Sequence, residues 1–274
     1  MQWPIVVARP LFTPAHSGGG FRYDSRPLPV LVFTGRERED VAMPEDPTLA
    51  ELVSARPGAA RVMERHHLDY CCGGSQRLGE ACAERGIDPE VVLGELTALG
   101  PEAAPDWAAM GPAELVDHLE ATHHRYLQEE LPRLSALVDK VAGVHGERHP
   151  ELRDILRTFE ELRADLEPHL LREEQVLFPM IRELDVATSA PSFHCGTLQN
   201  PIRVMLMEHD RAGELLARLR DLTSDYAVPD DGCASYQALF AGLVELEADT
   251  HQHVHKENNL LFPAVLEREH QLTA

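Results

Sequence analysis

From residue 112 onward the chain carries four long stretches in which apolar residues recur three and four positions apart, the spacing of one face of an α-helix. The stretches run near 112–142, 150–184, 201–223 and 232–268, and the loops between them hold Gly143 and Gly146, Pro191 and Gly196, and Pro229 and Gly232. Short turns make long sequential helices antiparallel neighbours, so the pattern predicts an all-α, up-down-up-down four-helix bundle over 112–270. Ahead of it the segments shorten. Thr48-Leu49-Ala50-Glu51 is a capping box, and Gly86, Asp88 and Pro89 stop one helix and start the next. Segments near 48–55, 58–67, 75–85 and 89–99 then make a small N-terminal helical domain over 47–100, and residues 101–111, PEAAPDWAAMG, read as a linker. Residues 1–46 have scattered prolines, a Gly18-Gly19-Gly20 tract, one strand-like run from Val30 to Phe33 and no helical period. They are expected to be disordered or extended, with Met43 as an alternative start.

Two of the core stripes run through charged residues. In the second long helix the stripe is Leu162, Leu166, His169, Glu173, Val176, Met180, Leu184; in the fourth it is Leu239, Leu243, Leu246, Thr250, His253, Glu257, Leu260, Ala264. A lone His-x-x-x-Glu is ordinarily a surface polar pair. Here HLLREEQVLFP (169–179) and HVHKENNLLFP (253–263) share the template H-x-x-x-E-x-x-x-L-F-P at an offset of 84. Residues four apart lie on one helix face, so each pair presents an imidazole and a carboxylate to one point. Ionisable groups at core positions cost several kcal/mol each unless paired or bound to metal, so a cation between the helices is expected.

Two further histidines fall in phase. His209 lies on the stripe Ile202, Met205, Ala212, Leu216, Leu219, and His124 precedes Leu127, Leu131, Leu134, Val138 and Val141. Their separation of 85 nearly repeats the 84 of the other pair, which reads as a duplicated two-helix unit. His123 competes with His124 for the inward position. His251 and His255 flank His253 on the opposite face and are expected to be exposed. Pro132 and Pro168 are expected to kink their helices.

Four imidazoles and two carboxylates suit a dinuclear site with bridging carboxylates and open positions, whereas a structural zinc would need only four ligands. The absence of sulfur disfavours copper(I) and cluster ligation by the bundle. Two iron ions fit best, with manganese second. A ferritin-type site would need Glu-x-x-His, which is not the spacing found.

Charge and cysteine content narrow the partners. With 25 basic and 46 acidic residues the formal charge is −21, which repels nucleic acid. No run approaches the ~20 apolar residues of a membrane span, the first residues make a poor signal peptide, and five cysteines do not resemble a secreted framework. A cytoplasmic protein is expected. Cys71 and Cys72 stand in DYCCGG (69–74), just ahead of a helix expected to begin near Ser75, whose dipole would favour thiolate. The plainer alternative is two small buried residues. Cys82, Cys195 and Cys233 have no such context and read as structural.

These pieces together, DYCCGG, THHRYLQEELPRL (122–134), HLLREEQVLFPMI (169–181), MEHDRAGELL (207–216) and HVHKENNLLFP, give residues 47–268 a resemblance to the iron–sulfur cluster repair (repair of iron centres) di-iron family, whose bundle is hemerythrin-like. The resemblance implies that His124, His169, Glu173, His209, His253 and Glu257 hold a non-haem di-iron centre. It also implies a role in restoring iron–sulfur clusters damaged by oxidative or nitrosative stress, with such cluster proteins as partners. Cys71 and Cys72 would dock the damaged cluster or pass iron to it. Two other readings use the same centre: an oxygen or nitric oxide sensor or store, and a di-iron enzyme reducing nitric oxide or peroxide. Whether the chain is an enzyme is thus left open, as is a homodimer.

Overall fold

Thr48 caps the first helix as its neighbours dictate. Its hydroxyl accepts from the Glu51 backbone N–H and the Glu51 carboxylate accepts from the Thr48 N–H at 2.7 Å. The computed structural model describes residues 46–99 and 106–273; of the segment 1–46 expected to be disordered or extended, all but Asp46 lies outside these, the Val30–Phe33 run included. Four short helices follow from the cap: α1 (Leu49–Ala55), α2 (Ala59–Arg65), α3 (Leu78–Arg85) and α4 (Pro89–Ala98). Gly86 ends α3 in a left-handed conformation (φ 67°), and Asp88 with Pro89 starts α4. Their apolar faces close over Leu49, Val53, Val62, Met63, Leu78, Cys82 and Val92. Trp107, in a 3₁₀ turn (Trp107–Ala109), joins that core, so the end of the expected linker is anchored.

The four long patterns become four rods. Three of them contain a π turn, in which the backbone N–H bonds five residues back instead of four. Rod α5 comprises Pro112–Leu119, the π turn Glu120–His124 and Arg125–His145. Rod α6 comprises Leu152–Arg172, the π turn Glu173–Leu177 and Phe178–Val186. Rod α7 is the α-helix Gln199–Leu222. Rod α8 comprises Ala234–Lys256, the π turn Glu257–Leu261 and Phe262–Thr273. Pro132 and Pro168, expected to kink their helices, lie inside uninterrupted α-helix. The irregular turns in α6 and α8 instead directly precede Phe178-Pro179 and Phe262-Pro263. A proline ring clashes with the carbonyl four residues back, and a widened turn relieves that clash.

Two apolar clusters record the chain direction. One contains Leu127–Val141 of α5, Leu152–Leu170 of α6, Ala212–Leu219 of α7 and Tyr236–Leu246 of α8. The other contains Leu115–Leu119, Leu177–Leu184, Leu198–Met205 and Leu261–Val265 of the same rods. The order in which each rod meets them alternates, which is the up-down-up-down arrangement. Each fully buried leucine contributes about 1.5–3 kcal/mol, so the two clusters supply most of the packing energy of the bundle. Among the described residues no helix is long and apolar enough to cross a membrane.

The small helical domain rests against α8. Tyr70 packs edge-on to His251 and His255, and its carbonyl lies 3.2 Å from His255 Nδ1. Asn259 Nδ2 donates to the Cys71 carbonyl at 3.0 Å. The expected exposure of His251 and His255 is therefore wrong: His255 is fully buried and His251 half-buried, because this docking covers the face of α8 opposite His253.

Candidate metal centre

The layer between the two apolar clusters is polar. His124, His169, Glu173, His209, His253 and Glu257 all lie there, all buried. The helix phases bring His124 from α5, the His169/Glu173 pair from α6, His209 from α7 and the His253/Glu257 pair from α8 to one region. Their donor atoms form two overlapping sets, His124, Glu173, His253, Glu257 and His169, Glu173, His209, Glu257, with the atoms of each set within 4.8 Å of one another. Both carboxylates belong to both sets. Glu173 Oε2 is 3.4 Å from His124 Nε2 and 3.3 Å from His169 Nε2; Glu257 reaches His209 Nε2 and His253 Nε2, each at 3.1 Å.

An outer layer fixes the rings. His124 Nδ1 lies 2.9 Å from Glu174, His169 Nδ1 2.8 Å from Glu208, and His209 Nδ1 2.7 Å from Asn258 Oδ1. Each acceptor requires the proton on Nδ1, which leaves the Nε2 lone pair facing the centre. The consequence is an unstable donor set. His169 Nε2 and His209 Nε2 face one another at 3.2 Å, and Glu173 Oε1 and Oε2 and His124 Nε2 are buried without hydrogen-bond partners. Lone pairs and carboxylate charge converge on one region, an arrangement that fits bound cations.

In the chain alone, protons have to supply the charge. Burial pushes His209 and His124 down, but Glu257 beside the first and Glu173 beside the second outweigh it and raise each to about 9. Burial likewise pushes Glu257 up, and His253 and His209 together hold it well below the usual carboxylate range.

His123 is buried beside His124 but turns away from the six. Its Nδ1 lies 2.8 Å from Asp249 Oδ1, and Lys256 Nζ donates to its Nε2 at 2.6 Å and to His118 Nε2 at 3.0 Å. The His123 ring stacks parallel to His253 with centroids 5.4 Å apart, and Trp107 covers the ammonium at 4.0 Å. Burial lowers Lys256 to about 8 and raises Asp249 to about 6. Of this hydrogen-bonded chain only His123 was weighed for the site, as the competitor of His124, and Asp249, Lys256, His118, Glu174, Glu208 and Asn258 were not among the expected site residues. Glu174, Glu208 and Asn258 are each the sequence neighbour of one of the six, which is the signal that would have found them.

The thiol pair sits against the same layer from the side. Cys72 Sγ packs over α7 at Gly213, one turn beyond His209, and acts on the nearby Asp210 carboxylate. Asp69 organises the loop: its Oδ1 accepts from the backbone of Cys71 and Cys72 at 3.1 and 2.9 Å and from Cys71 Sγ at 3.2 Å, and its Oδ2 from Gly73 at 2.9 Å. The expectation of a helix-activated Cys71 thiolate fails. Helix α3 starts at Leu78 rather than Ser75, and the Cys72 thiol, burial and the Asp69 carboxylate push the Cys71 thiol well up. Cys71 is buried and Cys72 half-buried, with the sulfurs 3.9 Å apart, and Asp69, Cys71 and Cys72 form a third cluster able to hold a metal ion.

Residues 115–265 match the family described as hemerythrin HHE cation binding domain, and residues 45–100 match a domain of unknown function, DUF542. A Haemophilus influenzae protein named "Probable iron-sulfur cluster repair protein" is 37% identical over 222 residues, 80% of this chain and 96% of that protein. Escherichia coli and Shigella boydii proteins named "Iron-sulfur cluster repair protein YtfE" are each 35% identical over 222 residues, 81% of this chain and 97% of theirs. With relatives matched along almost their whole length and a cation-binding HHE domain over more than half of its own, the chain belongs to the iron–sulfur cluster repair family.

Proposed function

We propose that this chain is a cytoplasmic di-iron protein that repairs iron–sulfur clusters damaged by oxidative or nitrosative stress, supplying iron to them through Cys71 and Cys72. The observation that carries the reading is the pair of overlapping four-donor sets joined by Glu173 and Glu257, with the thiol pair one helical turn from His209. His124 and His253 would hold one iron and His169 and His209 the other, and both glutamates would bridge. Bound iron supplies the transferable ion and a Lewis-acidic centre. Four nitrogen and oxygen donors per ion leave positions open, which suits an ion that must leave. Hard carboxylates retain iron at rest and soft sulfur receives it or meets the cluster. Damaged iron–sulfur proteins are the partners this implies. All five cysteines are free, in keeping with a reducing compartment.

The test uses anaerobically purified protein, with iron content and Mössbauer spectra read alongside the rate at which a damaged cluster protein regains activity. Two irons per chain are expected. The double variant Cys71→Ala/Cys72→Ala is expected to keep its iron and lose at least about tenfold in repair rate, as transfer that passes through sulfur ligands requires. No iron, or one zinc per chain, would overturn the reading; unchanged repair in the variant would overturn the thiol role. The open positions also favour a second reading, binding or reduction of nitric oxide or oxygen. Sustained nitric oxide turnover with an electron donor, in the absence of any cluster protein, would favour that one.

A further inference from the structure

Cys233 was expected to be a structural cysteine without context. It is instead exposed, at the N-cap of α8, about 30 Å along the rod from His253 at 1.5 Å per residue. The Nε2 of His145, at the end of α5, lies 3.2 Å from its sulfur. His145 is only 4% exposed, and its other nitrogen, Nδ1, faces Arg148 Nη2 at 3.4 Å. A guanidinium can only donate. Nδ1 is therefore the acceptor, the ring proton sits on Nε2, and that N–H is aimed at Cys233 Sγ.

The rest of the cluster holds this tautomer in place. Asp231 takes Arg148 on one carboxylate oxygen and His149 on the other, each at 2.9 Å. The Tyr236 ring stands edge-on to both imidazoles, with centroids 5.5 Å from His145 and 5.7 Å from His149. The arrangement is a nucleophile, a donor imidazole, a cation that fixes its tautomer and a carboxylate that fixes the cation.

We propose that Cys233 is a redox modification site, a thiolate that reduces hydroperoxides and is then capped by a low-molecular-weight thiol. The first-turn amides of Tyr236 and Ser235, with Lys140 nearby, lower its pKa and so agree with the geometry. The thiolate sulfur attacks the terminal peroxide oxygen; an S–O bond forms and the O–O bond breaks. Two electrons pass from sulfur to peroxide, and the departing alkoxide or hydroxide takes a proton from water. The product is a sulfenic acid. Its neighbours are an imidazole and backbone amides rather than a second thiol, so resolution falls to a small thiol from solution. That thiol's sulfur bonds to Cys233 Sγ as the S–O bond breaks, and hydroxide leaves with the thiol's proton as water.

The experiment uses the full chain, loaded with metal as purified. Iodoacetamide alkylation at each cysteine is followed by peptide mass spectrometry between pH 6 and 9. The Cys233 rate is expected to reach half its plateau below the midpoint of free cysteine. His145→Gln is expected to slow it about tenfold at pH 6.5, as a one-unit rise in thiol pKa requires. Arg148→Ala, a surface change, is expected to move the midpoint the same way and decides the matter should His145→Gln not fold. With hydrogen peroxide as probe, dimedone is expected to label Cys233, and added glutathione to replace that label with a mixed disulfide. A midpoint equal to free cysteine and unmoved in the folded variants would overturn the proposal. So would peroxide labelling confined to other cysteines.

Discussion

Glu208 precedes His209 in sequence yet serves His169 on the neighbouring rod, while Arg172 Nη2 donates to its second oxygen at 2.6 Å. The hydrogen bond to His169 and the salt bridge to Arg172 outweigh the effect of burial and lower Glu208 to about 2. Removing such a partner frees the ring to turn and to change tautomer. Glu208→Ala is expected to weaken cation binding by about 10–100-fold, measured by chelator competition. A second residue-level expectation concerns pH. His124 and His209 have native pKa values of about 9 against an ordinary 6.5. Protons on them stabilise the cation-free protein fully below pH 6.5, and that stabilisation is lost as pH rises through 9. Cation loading expels the same protons, so apparent affinity climbs over the same window. The gap in melting temperature between loaded and chelated protein should therefore widen from pH 6.5 to 9; a constant gap would count against proton occupancy of the centre. At this scale the six convergent residues were legible from helix phase and repetition. The outer acceptors were not, because which neighbour crosses to which rod depends on rod rotation.

At the scale of the helix, one irregularity accounts for where the apolar stripes were misread. Up to Glu173 and Glu257 every stripe residue is buried as expected. Beyond them the stripe departs: in α6 Val176 is 39% exposed and Leu177 is buried in its place, though Met180 and Leu184 are buried as expected, and in α8 Leu261 and Val265 take the places expected of Leu260 and Ala264. Each departure coincides with a π turn, which inserts one residue into the helical repeat. Rod α7 has no π turn, and its stripe from Ile202 to Leu219 holds throughout. The duplicated unit read from the offsets is thus inexact in backbone, since α5 carries a π turn where α7 has none. Deleting exposed Val176 should close the turn in α6 to an ordinary one without moving the stripe after it. Helical circular dichroism is then expected to persist while cation content falls by about half or more, since a carboxylate shared by both donor sets is re-aimed. Full cation content in the deletion would show that the wide turn has no part in aiming Glu173.

For the molecule as a whole, the sequence showed two helical units but not how they meet. Taken alone, α8 has one face toward the bundle, so His251 and His255 looked solvated; the second unit covers them, and nothing in the period of one helix announces that. The seam is tight. A Cβ on Gly74 would come within 2.6 Å of the Tyr70 carbonyl and 2.9 Å of both Ala50 Cβ and Asn259 Oδ1. Two of these three are backbone or Cβ atoms that cannot swing aside. Gly74→Ala is expected to cost about 1–3 kcal/mol of stability, measured by denaturant unfolding, and to loosen the thiol segment before the bundle itself. An unchanged midpoint would mean that the seam yields freely.

The polar layer also has closed ends. Above and below it the four rods are filled by leucine, isoleucine, valine and phenylalanine side chains packed to near-zero exposure. An ion travelling along the bundle axis would have to shed its ligands in a hydrocarbon interior, at a cost no binding site there repays. Traffic is therefore sideways, between rods. On one flank the gap between α6 and α7 is guarded by Asp165 and Glu208 beside His169 and His209. On another, Asp210 and the Asp69-ordered sulfurs stand over α7. A bundle closed at both ends has gates rather than a pore, and each gate here is lined by groups that attract a cation.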